Sequence, residues 1–126
     1  MSSWTLVILD TIHLYDVPYA NWRVGDQMAV VTALASTLGV SPATIYVLAT
    51  ASNPANNGTD VGIEILFPAA AEQNTAYLNI LALFPAASGS PFIQQLQALG
   101  TSSVTRATDP PIKGNTATGG YGAHTL

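Results

Sequence analysis

Near the start of the chain, Asp10, His13 and Asp16 in the stretch "DTIHLYD" have the chemistry for proton transfer or divalent-metal binding. An imidazole with a carboxylate on either side can act as a ligand or acid–base set if the backbone brings all three onto one face. The stretch continues "SWTLVIL", whose β-branched and aromatic residues read as a strand, and an extended backbone scatters the three across both faces. A structural role is therefore expected. No Gly-rich phosphate loop, G-x-S-x-G turn or H-E-x-x-H pair occurs, so no catalytic site, metal or cofactor is expected. His124 sits in a C-terminal stretch where a preorganised site is hard to hold, and Glu64 reads as a solvated or interfacial carboxylate.

The 126 residues fit one domain, and only 8% are charged, against about 25% in an ordinary soluble domain. The surface must then be built largely from Ser, Thr, Asn, Gln, Ala and Gly, without the Lys and Glu that discourage edge-to-edge pairing. Such a surface suits association. Seven carboxylates outweigh Arg23, Arg106 and Lys113 to give a formal charge of −4, too few cations to follow a phosphate backbone, so nucleic acid is excluded as a partner. Cysteine is absent, which removes disulfides and thiolate zinc and leaves the redox compartment open. The runs "TLVIL" and "AYLNILALF" are far shorter than the roughly 20 residues of a membrane span, so no membrane insertion is expected. "MSSWTLVILD" lacks a basic leader region, and no signal peptide is visible in it.

Periodicity orders the elements. A first strand over "SWTLVILD" places Trp4, Leu6 and Ile8 on one face and Thr5, Val7 and Leu9 on the other. Asp26 is the expected N-cap of a helix with Met28, Val31, Leu34, Ala35 and Leu38 on its buried stripe and Gly39 closing it. "SPATIYVLATAS" is the second strand, with Ile45, Val47 and Ala49 alternating against Tyr46, Leu48 and Thr50. "NPANNGTD" is a hairpin connection to "VGIEILF", with Val61, Ile63, Ile65 and Phe67 inward and Glu64 and Leu66 outward. A second helix over "AAAEQNTAYLNILALF" buries Ala76, Tyr77, Ile80, Leu81 and Phe84. A short third helix has Ser90 as N-cap, Pro91 at its first position and Gly100 beyond it. "TSSVTRAT" is the last strand, which Asp109-Pro110-Pro111 ends. The order β-α-β-β-α-β predicts an α+β, ferredoxin-like sandwich over 1–108, its antiparallel sheet covered by helices on one face, with an extended tail over 109–126.

In a two-layer sandwich the uncovered sheet face should be polar, yet here it would carry Val7, Leu9, Tyr46, Leu48 and Leu66. Burying five such side chains contributes on the order of 5–10 kcal/mol gross, comparable with the cost of association. A cover is expected. The last stretch, "GNTATGGYGAHTL", reaches roughly 40 Å when extended and can lie on another copy, with Tyr121 and Leu126 as anchors. A tail passed in one sense from copy to copy propagates as a ring or fibre, so the expected partner is the chain itself, in a homopolymer.

The stretch "VVTALASTLGVSPATIYVLATAS" followed by "DVGIEILF" resembles the helix, L-G-V turn and paired strands of SEA-like and related ferredoxin-like modules of extracellular proteins, including those of algal surface layers. The Gly-Ser turn of SEA self-cleavage is missing between the middle strands, so no autoproteolysis is carried over. The resemblance implies an adhesive or scaffold role at the cell surface or outside the cell, in a filament or coat bearing covalent glycans. Candidate attachment points are Asn57 in Asn57-Gly58-Thr59, Thr116 and Thr118, and, if hydroxylated, Pro110 and Pro111. An alternative is a secreted glycan- or small-ligand-binding module that stacks sugars on Tyr15, Tyr19 and Trp22, rings that can equally cap the core.

Overall fold

The computed structural model describes residues 6–115. It is an α+β fold in which strands β1 (Leu6–Tyr15), β2 (Ile45–Asn53), β3 (Gly58–Phe67), β4 (Arg106–Thr108) and β5 (Pro111–Asn115) form one antiparallel sheet. Helices α1 (Val24–Leu38), α2 (Ala70–Leu83) and α3 (Pro91–Ala98) complete it. The strand order is β2-β3-β1-β4, with β5 also pairing β1. β4 binds the end of β1 through His13, Leu14 and Tyr15, and β5 binds its beginning through Leu6 to Asp10. Pairing thus resumes at Pro111, which corrects the expectation that the proline pair ends the sheet. Proline is tolerated there because it opens an edge strand, where a missing N–H costs little.

The core joins one face of this sheet to the helices. Ile8, Ile12 and Leu14 of β1 and Val61, Ile63, Ile65 and Phe67 of β3 pack with Val30, Ala33 and Leu34 of α1, Ile80 of α2, and Phe92, Ile93 and Leu96 of α3. Phe84 and Phe92 meet edge-to-face with centroids 5.4 Å apart.

Helix ends and phases differ from expectation in three places. α1 starts two residues before Asp26, whose carboxylate reaches back to accept from the Arg23 N–H at 3.0 Å; Asp26 is therefore the third residue of the helix and not its cap. The buried stripe of α1 is rotated, leaving Met28 64% exposed, and on α2 Gln73 takes a buried place while Leu81 is 48% exposed. Gln73 belongs inside because its side-chain N–H donates to the Val7 carbonyl at 2.8 Å. Gly39, in the left-handed region at φ 69°, closes α1, and Ser90 caps α3 by accepting from the Ile93 N–H at 3.3 Å, both as expected.

A bulge at Leu48 sets the phase of β2. Val47 pairs with Ile63 and Ala49 with Gly62, so beyond the bulge Thr50 opposes Val61 and Ala49 turns outward, the reverse of simple alternation. At the far end of the hairpin the backbone of β1 comes so close to Gly58 that a Cβ there would lie 1.8 Å from the Leu14 carbonyl oxygen. Gly25, in the first turn of α1, has open space around the corresponding position. Gly58→Ala is expected to cost about 2–4 kcal/mol in urea unfolding of dilute protein, whereas Gly25→Ala is neutral or stabilises by up to about 1 kcal/mol. Equal midpoints for the two variants would contradict this packing.

Candidate functional site

β1 disperses the residues singled out for chemistry. Asp10 lies in the inward row with Ile8 and Ile12, and His13 in the outward row with Leu9 and Thr11. Asp16 turns away in the left-handed region at φ 65°, where its carboxylate accepts from the Thr105 hydroxyl. Each finds a different partner. His13 Nδ1 and Asp60 Oδ1 are 2.7 Å apart, and the Asn53 amide donates to the same oxygen at 2.9 Å. Among the described residues no group of three His, Cys, Asp or Glu side chains is placed to hold a metal ion.

Asp10 is 2% exposed and makes its contact with Asp109, in the break between β4 and β5. Two ionised carboxylates facing each other would both be acceptors, and repulsion forbids that state in a buried site. A proton resolves it. Burial, then the hydrogen bond with Asp109 and the charge of that group, push the Asp10 carboxyl up to about 9. Burial also raises Asp109, while the hydrogen bond from Asp10 and the nearby His13 hold it down. The direction of the shift makes Asp10 the protonated donor and Asp109 the acceptor. Neither lines the three clefts described in this structure. The pair is a fastener between the two halves of the edge strand and β1. Sequence reasoning had no signal for it, since Asp109 is remote in the chain and becomes a neighbour only when β4 and β5 pair.

The sheet face away from the helices carries the residues expected to drive association. Val7 opposes Leu66, and Leu9 opposes Glu64, which in turn opposes Tyr46. Tyr46 is 43% and Leu48 44% exposed, and Leu9 and Leu66 are half-buried. Val7 is fully buried and presents no surface of its own. Glu64 is also fully buried, so of its two readings, solvated or interfacial, the solvated one is corrected. Tyr121, Leu126, Thr116, Thr118 and His124 lie outside the described residues.

Tyr15, Tyr19 and Trp22 have different partners. The Tyr15 ring lies under the Arg106 guanidinium, 5.3 Å from its centroid. Tyr19 is exposed, its hydroxyl 3.4 Å from that of Thr50, and Trp22 packs half-buried against the core. A cleft of about 450 Å³ opens between the start of α1 and the loop after α3, yet none of the three rings is among its lining residues. Its carboxylate, Asp26, is already engaged by the Arg23 N–H and by the Thr101 hydroxyl at 2.7 Å. Asn57 is exposed at the hairpin end with φ 48°, while Thr59 is buried and donates to the Val17 carbonyl at 2.7 Å. Pro110 is exposed and Pro111 half-buried.

The carboxyl pair makes stability depend on pH with a definite sign. Unfolded Asp10 releases its proton near its ordinary value of 3.8 and folded Asp10 near 9, so between these the native state binds the extra proton and stability falls as pH rises. Its contribution is full below about 4 and lost above about 9. Asp10→Asn keeps a donor for Asp109 without a titrating group; its urea midpoint should exceed the parent's at pH 8.5 and approach it at pH 4. An unchanged pH slope would contradict the shared proton. Comparison with known proteins found no matching family model, no matching curated protein and no matching solved structure.

Proposed function

We propose that the chain is a structural subunit that self-assembles into an extracellular filament or coat, docking the outer sheet face and the segment after Asn115 on neighbouring copies. The observation that carries this reading is the one-sided packing of the sheet. The core cluster lies on one face of the sheet, while the other face holds half-buried Leu9 and Leu66 and exposed Tyr46 beside the buried Val7 and Glu64, with Leu48 exposed at the bulge. Grouped apolar exposure of this kind marks a contact surface. Charge is sparse along β2, since no charged residue lies between Asp26 and Asp60, and Glu64 on the same face is buried. We read the connectivity as that of a ferredoxin-like split sandwich; the element order and the strand order β2-β3-β1-β4 support this. The extracellular setting and the glycans rest on the SEA-like resemblance, with the exposed Asn57 side chain favourable to an attached sugar.

Sedimentation velocity of the full chain should show mass growing with concentration. Tyr46→Glu and Leu48→Glu, both at exposed positions, should each weaken assembly at least about tenfold by placing a charge where an apolar side chain is buried, without changing the circular dichroism. A parent chain that stays monomeric at every concentration would refute the reading. Intact mass of protein from its native source should exceed the 13.1 kDa of the sequence if glycans are attached.

A further inference from the structure

The geometry points to the open edge of β2, with the groove between it and α1, as the seat for residues 116–126 of a second copy. This rests on the self-assembly reading and names the receiving surface within it. Three observations lead there.

The first is the edge. Among the described residues β3 is the strand partner of β2, which leaves the other side of β2 without a ladder. The nine residues Ile45–Asn53 include no charged side chain and no proline, so the usual protections against strand addition are missing apart from the bulge at Leu48. The second is the groove. A depression of about 340 Å³ runs beside this edge, lined by Met28, Val31 and Thr32 of α1 with Pro42, Tyr46 and Val47. Exposed Met28, 64% accessible, is unexplained by the core and supplies an adaptable apolar wall. An edge that offers main-chain pairing beside a groove for alternate side chains is the arrangement that captures an extended peptide.

The third observation selects the occupant. β5 lies at the opposite edge of the sheet and is described as far as Asn115, opposite Leu6. Leu6 pairs with Phe67, so β5 runs toward the end of the sheet where β2 begins. Eleven residues follow, uncharged but for His124, and rich in Thr, Ala and Gly with a single large ring at Tyr121. Extended, they span roughly 35–40 Å. To lie along their own β2 they would have to cross three strand spacings, about 14 Å, and reverse direction. On a neighbour placed end-on they continue the line of β5. Donor and acceptor are different surfaces, so the contact is heterologous and repeats from copy to copy as a ring or a fibre.

The chain has no cysteine, which makes disulfide trapping clean. One copy carries Met28→Cys and the other a single cysteine introduced in turn at Gly119, Gly120, Tyr121, Gly122 and Ala123; the two are mixed at micromolar concentration with oxidised glutathione. Seating should raise crosslinking at one or more of these positions roughly 100-fold over unlinked thiols through effective concentration. The same tail cysteines with Leu78→Cys, exposed on α2, should show no such rise. If the mixture assembles but the tail crosslinks to Leu66→Cys or Leu78→Cys instead, the β2 seat is wrong and self-assembly stands. If Met28→Cys/Tyr121→Cys in one chain closes only within itself, the second-copy occupant is refuted. A chain that neither assembles nor crosslinks refutes both readings.

Discussion

The hydrophobic core of this molecule lies on one face of its sheet. Three helices and a four-strand-wide antiparallel sheet enclose a core built from Ile8, Ile12, Leu14, Ile63 and Ile65 on the sheet side, and nothing of comparable apolar content is placed behind the sheet by the described helices. Cross-strand register then lines up the apolar residues of the other face, because a strand alternates whether or not both of its faces have a partner. A monomer would ordinarily place exposed Lys and Glu there, whereas Glu64 on this face is buried. The scarcity of charge across the whole chain means that this face and the β2 edge differ from ordinary surfaces in the same direction.

The broken edge strand shows how the fold handles its polar exceptions. β4 and β5 are short, and the loop between them carries Asp109 into contact with Asp10 in the inward row of β1. A proton kept on Asp10 removes the repulsion between the two carboxyls without a cation, and makes stability decline with rising pH. Farther along, the Lys113 ammonium lies 4.7 Å from the Tyr77 ring centroid and donates to the Asn74 side-chain oxygen at 3.2 Å. β5 is therefore tied to α2 as well as to β1, and the chain is delivered to Asn115 in a fixed direction.

Much of this was readable from local patterns. "VGIEILF" alternates cleanly and forms the central strand β3, and the Ser90-Pro91 and Leu38-Gly39 signals sit at real helix ends. The phase of α1 was not readable, because a helix apolar on most sides, as in "MAVVTALASTL", leaves its orientation to tertiary packing. The Leu48 bulge has no sequence mark either, and it reverses the facing of Ala49 and Thr50. Of the candidate chemistry, the separation of His13 from Asp10 follows from strand alternation, whereas that of Asp16 comes from the left-handed turn just after β1. The partnerships with Asp109 and Asp60 were not readable, since both depend on pairings between residues far apart in the chain.

Hydrogen–deuterium exchange of the full chain, compared between dilute and concentrated solution, tests most directly whether the outer face and open edge are contact surfaces. The account predicts that amides of β2 and of its turn at Pro42–Thr44 become protected as concentration rises, while those of α3 in the core stay unchanged. Protection of β2 that is already complete in the dilute monomer, or that is the same at every concentration, would contradict it.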